Sequence, residues 1–300
     1  MKLLTCSYKN RVRLGVEHDG SVALPSLDAS AGSLPDDMLG VITAGDAGLA
    51  ALRQFAEAAP ESCRVPIEDV ERLAPIPRPP SNVICLGWNY IEHIEESADA
   101  KVHDSKLPDH PVVFTKAVGS VTGPFDGIPF DQNFSTQMDW EVELGVVIGK
   151  AGRRISKADA ISHIFGYTVI NDISIRDVQF RHQQFFLGKS ADGACPMGPH
   201  IVTADAVTNP QNLDLSCRVN GVTKQSSNTR FMIFDIASTI AILSQGMTLR
   251  AGDIIATGTP SGVGFARKPP EFLKPGDVVE CEVAEIGLIR NPVVDRVEPA

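Results

Sequence analysis

The sequence predicts a β-rich α+β fold for a chain of 300 residues. Apolar runs of strand length recur along the whole chain, whereas apolar residues at helical spacing are confined to a few short segments. These segments do not follow the regular strand–helix alternation of a Rossmann-type sheet. With 43% hydrophobic and 21% charged residues, the composition is that of a folded globular protein rather than a disordered or fibrous one.

The first 74 residues predict a small N-terminal α/β domain. Residues 12–17 alternate between apolar and polar, Asp19 and Gly20 have the chemistry of a hairpin turn, and residues 22–24 continue as a partner strand. Residues 46–59 are rich in Ala and Leu at helical spacing. We therefore expect a hairpin followed by a helix in this part of the chain.

A proline-rich segment separates this unit from the rest of the chain. The run APIPRPPSN at 74–82 contains four prolines, which fix the backbone and donate no amide hydrogen bond, so residues 75–80 are predicted to be an extended linker. Residues 81–300 are predicted to form one β-rich catalytic domain. Its predicted strands cover 83–87, 111–116, 142–149, 165–171, 213–219, 253–257 and 278–284.

Local signals predict two helices and one hairpin within this domain. Ser156 and Asp159 have the spacing of a capping box, which favours the start of a short helix. Residues 232–244 carry apolar side chains at helical spacing. Asn220 followed by Gly221 predicts a tight turn between two strands.

Charge and cysteine content exclude several classes of protein. The formal net charge of −10 disfavours nucleic acid and acidic membrane surfaces as partners. None of the six cysteines forms a CxxC pair, which favours reduced thiols and a cytoplasmic location. The apolar patch near the N-terminus is too short for a signal peptide, and no apolar run approaches the ~18 residues that a membrane span needs.

Three carboxylates could form a metal site. In the run DWEVELGVVIG, Glu141 and Glu143 lie two residues apart on a predicted strand and therefore point to the same face. Such a pair repels itself unless a cation lies between the carboxylates, and oxygen ligands suit Mg²⁺, Mn²⁺ or Ca²⁺. Asp172 ends another apolar strand and offers a third ligand. The alternatives are a half-exposed polar strand face for the glutamates and a helix cap for Asp172.

Further polar side chains are placed where they could act on a substrate. His93 and Glu96 have helical i,i+3 spacing, so the carboxylate could orient the imidazole and raise its basicity. Lys189 lies in a loop bounded by Gly and Pro, and Thr259 lies in the Gly-rich run TGTPSGVG. Each feature alone is equally consistent with a surface helix or an ordinary turn.

Taken in order, these features resemble one known family. The order is NYxxHxxE, PxxFxK, DWExE, NDxSxRDxQ, GKSxDxxxPMGP, TGTPxGVG and LKPGD. This resembles the fumarylacetoacetate hydrolase family over most of residues 75–294. The chain departs from the family pattern at Trp88, where many members have Arg or Leu, and at Ala117, where Pro is common. Both departures affect the expected substrate more than the expected chemistry.

The resemblance implies a mixed β-sandwich/β-roll catalytic domain, usually a homodimer, that binds a divalent metal, with Mg²⁺ expected and Mn²⁺ or Ca²⁺ as alternatives. It implies a role for each of three groups of residues. The metal ligands are Glu141, Glu143 and Asp172; the catalytic residues are His93, Glu96 and Lys189; the substrate-binding residues are Arg176, Gln179, Thr259 and Lys116.

The activity first expected is that of a metal-dependent hydrolase in aromatic compound catabolism. It would cleave a C–C bond in an acylpyruvate or fumarylpyruvate-type diketo acid, through an enolate stabilised by the metal. His93 would activate the water. The alternative is an oxaloacetate decarboxylase, a tautomerase or a related 2-oxo acid lyase, and a third reading is a catalytically silent binding protein. Residues 89–110, polar and without a clear apolar face, are predicted to form a mobile lid.

Overall fold

A computed structural model describes residues 1–28, 32, 34–100 and 106–297 of the chain. Its strands, in chain order, are β1 Lys2–Tyr8, β2 Arg11–His18, β3 Ser21–Ala23, β4 Arg64–Pro66, β5 Glu71–Leu73, β6 Val83–Gly87, β7 Val112–Lys116, β8 Val121–Thr122, β9 Ile128–Phe130, β10 Met138–Asp139, β11 Val142–Ile148, β12 Ile164–Asn171, β13 Ser174–Ile175, β14 Cys195–Thr203, β15 Asp214–Val219, β16 Val222–Asn228, β17 Ile254–Ala256, β18 Val278–Val283 and β19 Gly287–Asp295. Its α-helices are α1 Met38–Ala58, α2 Ile91–Asp99, α3 Arg176–Arg181, α4 Phe186–Lys189 and α5 Ile236–Leu243.

Besides the two-stranded pair of β10 and β13, two sheets organise these strands, as the prediction of a β-rich α+β fold requires. The larger sheet runs β4-β3-β2-β1-β14-β12-β11-β17-β6-β7, and the smaller one runs β16-β15-β18-β19-β9. Every residue of β11, β12 and β14 is buried, which explains why their sequences are nearly continuous apolar runs. In contrast, β18 alternates between buried and half-buried residues, as a strand with one covered face does.

Strand pairing brings several chain segments to one end of the larger sheet. β11 is antiparallel to β12 on one side and to β17 on the other, and β17 is parallel to β6. The start of β11 therefore lies beside the ends of β12, β17 and β6. The residues that precede β11 and follow the other three strands, which include most of the predicted site, consequently gather at this edge.

The predicted strands are confirmed to within one or two residues, but three helix predictions need correction. α5 begins at Ile236 rather than near 232, because the Asp235 side chain caps it by accepting from the Ser238 N–H at 2.6 Å. The hydroxyl of Ser156 does accept from the Asp159 N–H, yet the turn continues as a short 3₁₀ helix at Ala160–His163. α1 begins at Met38 and is kinked at Gly45, where φ is 58°.

The N-terminal segment joins the larger sheet through β1, which pairs antiparallel with β14. The domain limits at 74 and 80 stay a prediction. Thr5 donates its hydroxyl to the Pro75 carbonyl at 2.7 Å, which fixes one point of the proline-rich segment. Among the described helices, none is both long and apolar enough to span a membrane.

A histidine–carboxylate contact also joins β2 to β14. Glu17 Oε2 lies 2.9 Å from His200 Nδ1, and the hydrogen bond from His200 outweighs partial burial and lowers the pKa of Glu17. A lowered carboxyl pKa stabilises the fold above the unfolded-state pKa, and this stabilisation is lost as the pH falls through the folded-state value.

We therefore expect Glu17→Gln to lower the free energy of unfolding at pH 7 by about 1 kcal/mol. The difference from the parent protein should shrink as the pH falls below the ordinary glutamate value of about 4.3 and through the lower folded-state pKa of Glu17. Urea unfolding at pH 7 and at several acid pH values measures this. A difference that stays constant across the whole pH range would contradict the assigned contact.

Candidate active site

Three buried carboxylates lie together at the edge of the larger sheet. Glu141 immediately precedes β11, Glu143 lies within it, and Asp172 immediately follows β12. The pairing of Val142 with Asn171 brings the two strand ends together, and the Asp172 N–H donates to the Glu141 carbonyl at 2.9 Å. One carboxylate oxygen from each residue lies within 4.8 Å of the others, so the predicted metal ligands converge on one point.

Two buried lysines hold this cluster. Lys189 Nζ lies 2.7 Å from Glu141 Oε2 and 2.8 Å from Asp172 Oδ2. Lys116 Nζ donates to Asp172 Oδ1 at 2.6 Å and to the Ile173 carbonyl at 3.0 Å. Burial alone would lower the pKa of Lys189, but the charges of Asp172 and Glu141 outweigh it and raise that pKa. Lys189 is therefore a fixed cation and not a proton acceptor at neutral pH.

Arg176 binds the cluster from the first turn of α3. Its guanidinium lies 2.7 Å from Glu141 Oε1 and 2.8 Å from Asp139 Oδ2, and it donates to Gln179 Oε1 at 3.0 Å. Burial favours the protonated form of Glu141, but Lys189 and Arg176 outweigh it and lower its pKa. Glu141 is consequently held as a carboxylate.

Asp139, which no sequence pattern singled out, links Arg176 to a distant loop. This buried carboxylate accepts from the backbone N–H groups of Gly264 at 2.7 Å and Phe265 at 3.0 Å, as well as from Arg176. It lies in the DWE run, but its loop partners are more than a hundred residues away in the sequence, so local spacing gave no signal.

We expect Asp139→Asn to lower the free energy of unfolding by about 3 kcal/mol, because it leaves a buried guanidinium with one carboxylate fewer. The matched control is Asp205→Asn, which breaks the exposed Arg53–Asp205 pair at 2.7 Å and should cost well under about 1 kcal/mol. Urea unfolding of both variants measures the effect. Equal losses of unfolding free energy in the two variants would show that the Asp139–Arg176 pair contributes no more than an exposed ion pair.

Glu143 differs from the other two carboxylates of the cluster. Within the described part of the chain it has no Lys or Arg at ion-pair distance, and it accepts instead from the Gly258 N–H at 2.7 Å. Burial, followed by the charges of Asp172 and Glu141, raises its pKa well above its ordinary value. A cation bound among the three oxygens would relieve this repulsion, and an all-oxygen donor set suits a hard divalent ion, so the residues fit a metal.

His93 and Glu96 form the predicted pair on α2. His93 Nδ1 lies 2.7 Å from Glu96 Oε1, and the other carboxylate oxygen of Glu96 accepts from the Gly262 N–H at 2.8 Å. Because a carboxylate only accepts hydrogen bonds, Nδ1 carries the proton and Nε2 remains the basic ring nitrogen. The imidazole is only 5% exposed and lines the same cleft as Glu141.

A narrow cleft opens onto the cluster. The predicted residues that line it are His93, Glu141, Arg176, Gln179, Lys189 and Thr259. Thr259 donates to the Val142 carbonyl and accepts from Gln225, so its hydroxyl is held by the strand that carries the glutamates. Lys116 does not line the cleft and is fully buried, so its position behind Asp172 argues against direct contact with a substrate.

Asn89 is a second residue that the sequence analysis did not single out. Its amide donates to the carbonyls of Thr257 at 2.8 Å and Phe234 at 3.1 Å, and its side-chain oxygen accepts from the Phe234 N–H. It thereby ties the segment before α2 to the Gly-rich loop.

The predicted lid, residues 89–110, includes α2, which buries His93, Ile94 and Ser97. Residues 101–105 lie outside the described part of the chain, and the movement of the lid stays a prediction.

Comparison with known proteins gives one family. The model of the fumarylacetoacetate (FAA) hydrolase C-terminal domain matches residues 82–294. Oxaloacetate tautomerase YisK from Bacillus subtilis (strain 168) is 42% identical, covering 98% of this chain and 100% of that protein. Human mitochondrial oxaloacetate tautomerase FAHD2A is 43% identical, covering 94% of this chain and 87% of that protein. Both relatives are enzymes by name.

Solved structures agree on the fold. Fumarylacetoacetate hydrolase from Exiguobacterium antarcticum has a TM-score of 0.83 at 40% identity, covering 99% of this chain and 100% of that one. Maleylpyruvate hydrolase from Sphingobium sp. SYK-6, in complex with manganese (II) and pyruvate, has a TM-score of 0.79 at 28% identity with the same coverage. A neighbour of the same fold thus binds a divalent metal, and this chain has an acidic cluster suited to one.

These comparisons correct the activity first expected. The prediction of an acylpyruvate or fumarylpyruvate hydrolase is wrong, because the curated relatives at about 42% identity are oxaloacetate tautomerases. They favour the alternative that the sequence left open, which shares the enolate chemistry. The error has a physical reason: cleavage and tautomerisation both require a metal that stabilises an enolate and a nearby base, so the same side chains serve both.

Proposed function

This chain belongs to the fumarylacetoacetate hydrolase family, and we propose that it is a divalent-metal-dependent tautomerase of oxaloacetate, interconverting the enol and keto forms. The observation that carries the proposal is the convergence of three buried carboxylates beside a buried His–Glu pair, in a chain whose curated relatives are named oxaloacetate tautomerases. The residue roles below are part of this proposal.

Charge in the site supports a metal-dependent reaction on an anion. Four buried carboxylates, at positions 139, 141, 143 and 172, face three buried cations, at positions 116, 176 and 189. When all four carboxylates are ionised, the cluster by itself is net negative and would repel a 2-oxo acid. A divalent ion on Glu141, Glu143 and Asp172 reverses that sign, and as a Lewis acid it supplies stabilisation of enolate charge. We propose Mg²⁺ as the ion, with Mn²⁺ able to replace it.

His93 is the group we assign to proton transfer. Tautomerisation removes a proton from the enol hydroxyl and delivers one to C3, so it needs a side chain that can hold a proton reversibly near neutral pH. Among the other charged lining residues, Lys189 is held as a cation by two carboxylates, Glu141 is assigned to the metal, and the Arg176 guanidinium is paired with carboxylates. The uncharged lining residues are aromatic or aliphatic or carry an amide or a hydroxyl group, apart from Gly87. His93, with Nε2 basic and Nδ1 fixed by Glu96, meets the requirement.

The other polar residues bind and orient the substrate. Arg176 contacts Glu141 and lines the cleft, so it can meet a substrate carboxylate while it orients that ligand. Gln179 uses its side-chain oxygen for Arg176, which leaves its amide N–H₂ to donate to a ligand. Lys116 is assigned to holding Asp172, since it contacts that carboxylate and does not line the cleft.

The proposal is tested by following the loss of enol-oxaloacetate with Mg²⁺, with Mn²⁺ and after chelation. We expect metal-dependent acceleration over the metal alone. Pyruvate formation, measured in the same samples, separates tautomerisation from decarboxylation. Acceleration that survives complete removal of metal, or no acceleration with Mg²⁺ and none with Mn²⁺, would overturn the proposal.

A second proposal is that the chain forms a homodimer. Light scattering, which measures the molar mass in solution, tests it.

A further inference from the structure

Five aromatic side chains line the cleft: Trp88, Phe114, Phe180, Phe185 and Phe265. On one side, the Trp88 and Phe185 rings meet edge to face at 5.5 Å, and Phe185 meets Phe114 at 5.6 Å. On the other, Phe180 and Phe265 meet at 5.4 Å. The cleft therefore has two aromatic walls, each made of rings that support one another.

Polar and aromatic groups are separated by depth. The polar lining residues, from His93 to Thr259, are at most 5% exposed, and Phe114 is buried beside them. The other four rings lie further out: Trp88, Phe185 and Phe265 are half-buried and Phe180 is 38% exposed. A 2-oxo acid whose carboxylate and oxo groups reach the acidic cluster thus directs its far end between aromatic rings. Phe114 and Phe265 each have a cation against the ring, Lys189 at 4.9 Å and Arg176 at 4.6 Å. The other three rings, Trp88, Phe180 and Phe185, offer aromatic contacts that favour a planar apolar group.

Trp88 is held at the cleft in an unusual backbone conformation. Its φ is 50°, which a bulky aromatic residue rarely adopts, and such strained positions cluster at functional sites. One of its neighbours is Phe185, and through Phe185 and Phe114 its wall reaches Lys189, whose Nζ lies 4.9 Å from the centre of the Phe114 ring. A change at position 88 therefore acts on the outer part of the cleft, three side-chain contacts away from Lys189.

We propose that this site also tautomerises 2-oxo acids with a planar apolar substituent on C3, the arylpyruvates, and that Trp88 determines how well that substituent is accepted. The inference rests on the proposed function, because it uses the same metal and proton-transfer groups. The enol loses its hydroxyl proton and gains one at C3; the C=C electron pair forms the new C–H bond, and the C–O bond becomes a carbonyl. No oxidant or reductant is needed.

The experiment measures ketonisation of enol-phenylpyruvate and enol-oxaloacetate side by side with the Mg²⁺-loaded protein, against Mg²⁺ alone. We expect both to be accelerated. Acceleration of oxaloacetate alone overturns the arylpyruvate inference and leaves the proposed function standing. Acceleration of phenylpyruvate alone supports the inference and removes the oxaloacetate assignment. Acceleration of neither overturns both.

Variants test Trp88. In Trp88→Leu, kcat/KM for phenylpyruvate should fall by about fivefold relative to that for oxaloacetate, as the loss of one aromatic contact predicts. Trp88→Phe, which keeps a ring, should retain most of the ratio. The matched control is Phe125→Leu, since Phe125 is an exposed aromatic residue that packs on Arg72 outside the cleft. Equal changes for both substrates in Trp88→Leu, or the same shift in the control, would overturn the role of Trp88.

Discussion

Replacing Glu143 with glutamine is expected to abolish metal-dependent activity without destabilising the metal-free protein. Glu143 is buried beside two carboxylates and has no ion-pair partner among the described residues, so its charge opposes folding until a cation binds. Glutamine has the same shape and can still accept from the Gly258 N–H. Because loss of a group that only supports a metal ligand costs 10- to 100-fold in affinity, loss of a ligand should cost at least about 100-fold.

Calorimetric titration with Mg²⁺ and Mn²⁺ measures the affinity, and thermal unfolding after chelation measures the metal-free stability. The matched control is Glu68→Gln, which removes an exposed carboxylate and should change neither quantity. Unchanged Mg²⁺ affinity in Glu143→Gln would remove this residue from the metal site. A large loss of metal-free stability would contradict the view that its charge is uncompensated.

Asp172→Ala should also remove metal binding, but with a different effect on stability. Asp172 accepts from both Lys116 and Lys189, so its removal leaves two buried ammonium groups with one fewer carboxylate. Breaking a buried pair from one side typically costs about 3–5 kcal/mol. The contrast between the two variants, one stable and one destabilised without metal, follows from which carboxylates have cation partners.

The residues that the sequence identified are those whose relation is local. Strand alternation predicted that Glu141 and Glu143 share a face, and helical spacing predicted the contact of His93 with Glu96. These relations depend only on the period of one element. The order of motifs added the family, which favoured Asp172 as the third ligand over the alternative of a helix cap.

The residues that the sequence missed or misplaced depend on tertiary contacts. Asp139 is recognisable only once the loop at 264–265 is placed against it, and Asn89 only once residues 234 and 257 are. Lys116 was expected at the substrate, yet its side chain turns behind Asp172, a direction that strand position alone does not set. Substrate identity depends on which groups line the outer cleft. Strand alternation and helical spacing do not predict which residues those are, because they come from several distant segments.

Replacing His93 with alanine is expected to lower kcat for enol-oxaloacetate by about 10²- to 10⁴-fold, the usual cost of losing a general acid–base group. Metal affinity should stay within a few-fold of the parent, because the imidazole is not among the three converging ligands. Glu96→Gln should show a smaller loss, since it keeps the imidazole but weakens the contact that fixes Nδ1.

The decisive measurement is rescue. Added imidazole should restore part of the activity of His93→Ala, because the cleft would then have room for a free base beside Glu141. It should leave Glu143→Gln inactive, since that variant lacks a metal ligand and not a proton carrier. If His93→Ala keeps more than about a tenth of the parent activity, proton transfer belongs to another group. If its metal affinity falls as steeply as its activity, the imidazole helps to hold the metal site and does not transfer a proton to the reacting carbon.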